Sequence, residues 1–186
     1  MSDVARKQMT SDGFIAWAMA QPEMCHYELI GGEIVSIAPE RSAHALTKFH
    51  IARQLAAQVE AARRPCQVYP DGMAVAVDDL RVYEPDALVR CGDLLPSDPV
   101  KLSDPVIIVE VQSPSASSRD VGPKPMGYFR LPSLTRYLIF RMENRTITQH
   151  SRGEDDLMLT RIVRDGPIVL DPPGITLADC FPTGAA

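Results

Sequence analysis

No two of the four cysteines, Cys25, Cys66, Cys91 and Cys180, stand in C-x-x-C spacing, and their gaps match no zinc motif. No apolar run approaches the roughly 18 residues of a membrane span. The opening Met-Ser-Asp-Val-Ala-Arg-Lys-Gln carries charge with no apolar h-region behind it. The cysteines are therefore expected to be reduced and mostly buried, and the chain to be soluble and cytoplasmic. Positive charge is not in excess either: 19 Lys plus Arg face 24 Asp plus Glu, a formal net charge of −5. That balance excludes coating of nucleic acid by bulk charge and leaves room for a local basic face. There is no internal repeat, no low-complexity tract and no glycine-rich phosphate loop. Ser113 and Ser115 have neither a G-x-S-x-G setting nor a suitably placed histidine, which argues against a serine hydrolase.

What is present describes one domain. The chain has 186 residues, 45% of them hydrophobic and 23% charged, which suffices for a core without staples. Residues 1–10 read as a loose N-terminus, 11–182 as the domain and 183–186 as a tail. Ser11 offers an N-cap for a helix from Phe14 to Ala20, stopped by Gln21-Pro22. Residues 26–38 read as a β-hairpin turning at Gly31-Gly32. Between Arg41 and Arg64, apolar residues at Ala45, Phe49, Ala52, Leu55, Ala56 and Val59 keep helical spacing and predict the longest helix. After Pro65 the pattern changes to short strands, Cys66 to Tyr69, Met73 to Val77 and Asp86 to Val89, divided by turn signals. The continuous apolar run Pro105 to Val111 predicts a central strand covered on both faces. A helix within Ser117 to Leu131, then strands at Ser133 to Phe140, at Thr146 to His150 and onward to about Leu170, complete the pattern. The fold class is α/β in the broad sense, a mixed central sheet flanked by helices.

Charge is unevenly spread. Residues 119–164 hold nine basic residues against five acidic ones, and most of the basic residues are arginine, the type suited to bidentate phosphate contacts. Two acidic positions stand out before that stretch: Glu84-Pro85-Asp86 at the head of a strand, and Glu110 near the end of the apolar run. Side chains alternate along a strand, so Glu110 and Gln112 point the same way. A carboxylate in an apolar strand must be paired, protonated or bound to a cation. If the strand from Asp86 lies alongside, two carboxylates converge with no obvious basic residue between them, and a divalent cation would neutralise both. Hard carboxylate oxygens suit Mg2+. The plainer alternative is that Asp86 caps a turn and Glu110 pairs with an arginine from 119–164.

The run Tyr27-Glu28-Leu29-Ile30-Gly31-Gly32-Glu33, then Pro85-Asp86, then Val109-Glu110-Val111-Gln112-Ser113-Pro114-Ser115, resembles the Uma-type restriction endonuclease family of the PD-(D/E)XK nuclease superfamily. Asp120, Lys124, Tyr128 and the strand Tyr137-Leu138-Ile139 continue the resemblance, which spans about residues 14–180. It implies a restriction-endonuclease-like core, a mixed sheet flanked by helices with the Tyr27 hairpin added, and Mg2+-dependent hydrolysis of DNA phosphodiesters, with Mn2+ as a substitute. It implies Asp86 and Glu110 as metal ligands and catalytic residues, with Gln112 at the usual lysine position and Lys124 supplying the lysine from the following helix. Lys124 lies between Pro123 and Pro125, which places it at a helix start, where it either serves the site or stands as a solvent-facing cap. Glu28 is an auxiliary candidate or a hairpin surface residue. His44, at the head of the long helix, is an auxiliary candidate or a capping residue. His50 is turned away from it, and His26 and His150 have no recognisable partner. Arg119, Arg130 and Arg136 are candidates to line a DNA path. A homodimer would let so small a nuclease reach both strands. The reading from a different class is a nuclease fold that has lost turnover and serves as a binding or assembly module.

Overall fold

The computed structural model describes residues 8–22, 25–95, 99–112, 123–164 and 166–182. In chain order these form α1 (Ser11–Ala18), the hairpin β1 (His26–Ile30) and β2 (Glu33–Ile37), α2 (Ser42–Ala61), β3 (Cys66–Pro70), β4 (Ala74–Asp78), β5 (Arg81–Tyr83), β6 (Ala87–Cys91), β7 (Lys101–Leu102) and β8 (Ile107–Gln112). The short helix α3 (Pro123–Tyr128) follows, then β9 (Arg136–Arg141), β10 (Thr146–Arg152), β11 (Met158–Arg164), β12 (Ile168–Leu170) and β13 (Ile175–Leu177).

The apolar run before Glu110 becomes β8, inside a six-stranded mixed sheet of order β11-β10-β9-β8-β6-β3. Strands β8 and β9 run parallel, and the other pairs are antiparallel. The hairpin joins a second, five-stranded sheet of order β2-β1-β5-β4-β7, contacting β5 at Leu29 opposite Val82. Its turn needs left-handed backbone at both central residues, φ 61° at Gly31 and 83° at Gly32, which glycine supplies without a Cβ penalty.

Alternation along β8 divides the core. Ile107, Val109 and Val111 pack with Ile51, Leu55 and Val59 of α2 and with the β12–β13 pair. Ile108 faces the other way, with Leu88, Tyr83, Tyr128, Tyr137 and Ile139. Glu110 and Gln112 share the parity of Ile108, so the sequence expectation about their common face agrees with the register. In α3, Gly127 allows a close approach: a Cβ there would lie 2.6 Å from the Tyr83 hydroxyl. The tyrosine can therefore pack edge-on against Tyr128, with ring centroids 4.9 Å apart.

Several expectations need correction. Thr10 caps α1, its hydroxyl accepting the Gly13 N–H at 3.3 Å, so the helix already includes Ser11. The inward stripe of α2 is Thr47, Lys48, Ile51, Ala52, Leu55 and Val59, while Ala45, Phe49 and Ala56 are exposed. The stripe is rotated because Lys48, which hydropathy alone assigns to solvent, has its charge met by buried Asp86 and by the more exposed Glu40 and Asp71. Cys66 and Cys91 are disulfide-bonded, not reduced: they are directly opposite one another in the β3–β6 ladder. Cys25 is exposed and Cys180 buried. Among the described residues no helix is long and apolar enough to cross a membrane.

Candidate functional site

Asp86 precedes β6, and the β6–β8 ladder explains its position. Its N–H donates to the Val109 carbonyl at 3.1 Å, and its Oδ2 accepts the Val111 N–H at 2.5 Å. The side chain thus extends the ladder by one bond and is held beside Glu110. The two carboxylates stand on adjacent strands as the sequence suggested, but each already has a lysine partner of its own, contrary to expectation. Lys124 Nζ lies 3.1 and 3.2 Å from the two Glu110 oxygens and 2.9 Å from Glu28 Oε1. The Tyr128 hydroxyl donates to Glu110 Oε1 at 3.1 Å. Among the described residues Glu110 is therefore paired with a lysine, and not with an arginine of the 119–164 stretch.

Lys124 is buried at the second position of α3, which starts two residues earlier than the prolines suggested. Pro123 is tolerated there because the first helical N–H groups have no intrahelical acceptor. Glu28 is buried on β1 and not on the hairpin surface; its Oε1 also accepts the Glu84 N–H at 2.9 Å. Gln112 is half-buried on the Glu110 face, in register with Arg141.

A second group approaches Asp86 from α2. His44 Nε2 is 2.6 Å from the Val111 carbonyl and 3.9 Å from Asp86 Oδ2, and its Nδ1 is 3.3 Å from Glu40 Oε2. Lys48 Nζ is 3.1 Å from Asp86 Oδ1, 2.5 Å from Glu40 Oε1 and 2.6 Å from Asp71 Oδ2. Sequence reasoning missed Lys48, Glu40 and Asp71. The available signal was a lysine four residues after His44, within the stripe that continues through Ile51 and Leu55.

Electrostatics follow from burial with incomplete neutralisation. Burial pushes the Glu110 carboxyl up to about 8; Lys124 opposes this, and the neighbouring Asp86 and Glu28 charges reinforce it. Burial also raises Asp86, against the pull of Lys48, the Val111 N–H and His44. Burial by itself would lower both lysines. For Lys124, Glu110 and Glu28 outweigh it, and for Lys48, Asp86, Asp71 and Glu40 do so, so both are raised above the ordinary lysine range. Glu28, Glu40, Asp71, Asp86 and Glu110 thus share two ammonium groups, and the cluster retains negative charge. This donor set, hard carboxylate oxygens with a surplus of negative charge, fits a divalent cation. Donor atoms of Glu40, His44 and Asp86 also lie within 4.8 Å of one another.

The other candidates are placed as follows. Arg119 lies outside the described residues, as do Ser113, Ser115 and Asp120. Arg130 is exposed after α3 and pairs with Asp78 at 3.1 Å, a carboxylate that also holds Arg81. Arg136 sits on β9 opposite Ile107, three residues along from the partner of Glu110, and donates to the Thr135 and Asp171 carbonyls. At about 3.3 Å per residue it is not brought to the carboxylates. His26 and His150 do have partners: Glu84 Oε1 at 2.7 Å and Thr160 Oγ1 at 2.9 Å. His50 is held by the Asp179 carbonyl at 2.8 Å, away from the site.

Residues 12–181 match the family model Uma2, whose description is "Putative restriction endonuclease". The crystal structure of a putative nuclease belonging to DUF820 from Anabaena variabilis is similar, with a TM-score of 0.72 and 16% sequence identity. The similarity covers 88% of this chain and 90% of that one, and it shows a shared fold. No curated protein matches the chain in sequence. With a mixed α+β core of this nuclease fold and a family match over almost its whole length, the chain belongs to the Uma2 putative restriction endonuclease family.

Proposed function

We propose that this chain is a Mg2+-dependent endonuclease that hydrolyses DNA phosphodiester bonds. The observation that carries the proposal is the placement of Asp86 and Glu110 on adjacent strands, tied through Val111, in a cluster with more carboxylates than cations. Asp86 and Glu110 would hold Mg2+, or Mn2+ in its place. Bound there, the metal would polarise the phosphoryl group and stabilise the leaving oxygen. Lys124 is held above its ordinary range by Glu110 and Glu28, so its Nζ keeps its protons at neutral pH. Its role is therefore to orient the attacking water and offset phosphate charge, and not to take a proton. Tyr128 fixes Glu110 by its hydroxyl bond, and Gln112 presents an amide on the same face of β8. Glu28 anchors Lys124, and His44 anchors the Val111 segment. Arg130, with Arg119 and Arg136 as further candidates, would serve a DNA path, and a homodimer would let paired sites address both strands.

A second reading, a nuclease-fold binding or assembly module without turnover, is favoured by one observation: Lys48 already bonds the Asp86 oxygen that a cation would use. Calorimetric titration of Mg2+ and Mn2+ into the parent and the Asp86→Ala/Glu110→Ala double variant separates the two, followed by cleavage assays on plasmid and single-stranded DNA. The nuclease reading expects metal binding and metal-dependent cleavage in the parent, both lost in the variant. Absence of metal binding in the parent, even with a DNA oligonucleotide present, would leave only the binding module.

A further inference from the structure

We propose that Lys48 is a built-in counter-ion of Asp86 that a divalent cation must move aside, so that this lysine sets the metal affinity of the site. The inference rests on Asp86 being a metal ligand. Of the two Asp86 oxygens, Oδ2 is committed to the Val111 N–H, which leaves Oδ1 as the oxygen a cation would take. Lys48 Nζ sits on Oδ1 at 3.1 Å. A lysine at a buried position of a helix is retained only if its charge is met, and here three carboxylates meet it.

The arrangement also provides a place for the ammonium to go. Asp86 is the inner and longest of the three contacts, and its side chain is 12% exposed. Glu40 and Asp71, the outer and shorter contacts, have side chains 28% and 46% exposed. Withdrawal from Asp86 toward solvent therefore leaves Lys48 paired with two carboxylates, and a flexible four-carbon stem permits so short a pivot. Lys124 has no such retreat, because Glu28, its other carboxylate, is as buried as the lysine itself. The two lysines thus divide the work: Lys124 is a fixed cation at Glu110, and Lys48 a movable one at Asp86. Like charges in a shared site disfavour one another, so removing the movable cation strengthens metal binding.

The test is Mn2+ affinity, measured by calorimetry on the full chain for the parent, Lys48→Met, Lys48→Arg and Asp86→Ala, each checked for folding by circular dichroism. Lys48→Met is expected to bind Mn2+ at least ten-fold more tightly than the parent, and the charge-retaining Lys48→Arg about as the parent does. Equal or weaker binding by a folded Lys48→Met, or tightening by Lys48→Arg as well, would overturn the proposal and leave Asp86 as a ligand. Parental affinity in Asp86→Ala, or no binding in either the parent or Lys48→Met, would instead overturn the metal reading and this inference with it. The parent chain supplies a check that does not depend on a variant folding. In an NMR titration with Mg2+, the Lys48 Cε resonance should move with the midpoint of binding. A site that saturates while that resonance stays fixed would refute displacement.

Discussion

Without divalent cations, raising the pH from about 6.5 to about 8 is expected to destabilise the protein, and Glu110 is the main reason. Its carboxyl is raised to about 8 in the folded chain from an ordinary 4.5, chiefly by burial. Between those values the native state keeps a proton that the unfolded state has lost, so stability falls as pH rises and levels off above the folded value. The slope is at most about 1.4 kcal/mol per pH unit, which gives roughly 1.5–2 kcal/mol over this window. For a chain of this length that corresponds to a fall of roughly 3–8 °C in Tm. Other groups do not reverse the sign. His150 is lowered by burial, so its opposing contribution, a gain of stability with pH, levels off just above its ordinary 6.5 and is small across this window. Lys48 and Lys124 are raised above 10.5 and remain charged in both states throughout. Asp86 and Glu84 are raised, mainly by burial, so any contribution they make has the same sign as that of Glu110. Scanning calorimetry across the window should show the decline in the parent and a flatter profile in Glu110→Gln. Saturating Mg2+ should flatten the parent as well, because a bound cation favours the ionised carboxylate. A parent Tm that is constant or rises over this range, or an undiminished fall in Glu110→Gln, would refute the argument.

Two further outcomes test the scaffold. The disulfide joins residues separated by 25 positions, and loop-closure entropy assigns such a cross-link about 3.5 kcal/mol; Cys66→Ser/Cys91→Ser should lose about that much in urea unfolding, and thiol titration of the parent under denaturing, non-reducing conditions should count two thiols, not four. Gly127→Ala places a Cβ against the Tyr83 hydroxyl and should cost about 1–3 kcal/mol by overpacking, with much of the loss recovered in Gly127→Ala/Tyr83→Phe; absence of recovery would place the strain elsewhere.

Local chemistry made much of the scaffold readable. Gly31-Gly32 announces its hairpin because few residues other than glycine turn the chain with positive φ at two successive positions. The run Ile107 to Val109 announces a central strand, because a strand covered on both faces is apolar at successive positions. Asp86 and Glu110 were legible as a converging pair for a related reason: an acid inside such a run demands a partner.

The identity of the partners was not legible. Glu110 meets Lys124 across 14 residues of sequence, and Lys124 meets Glu28 across the rest of the hairpin, a long helix and six described strands. Such contacts depend on how sheets and helices stack, and one-dimensional spacing does not encode this. The α2 stripe failed for the same cause. Hydropathy ranks Phe49 above Lys48 for burial, yet the helix turns Lys48 inward, because three carboxylates from elsewhere in the chain make its charge affordable there. Cys66 and Cys91 likewise become partners only through the β3–β6 register. By itself the sequence determined the hairpin, the long helix, the central strand and the two acids beside it, since these follow from propensity and alternation within a few residues. Only the tertiary structure decided which cations those acids face, because a buried charge is tolerated according to its three-dimensional neighbours and not its neighbours along the chain.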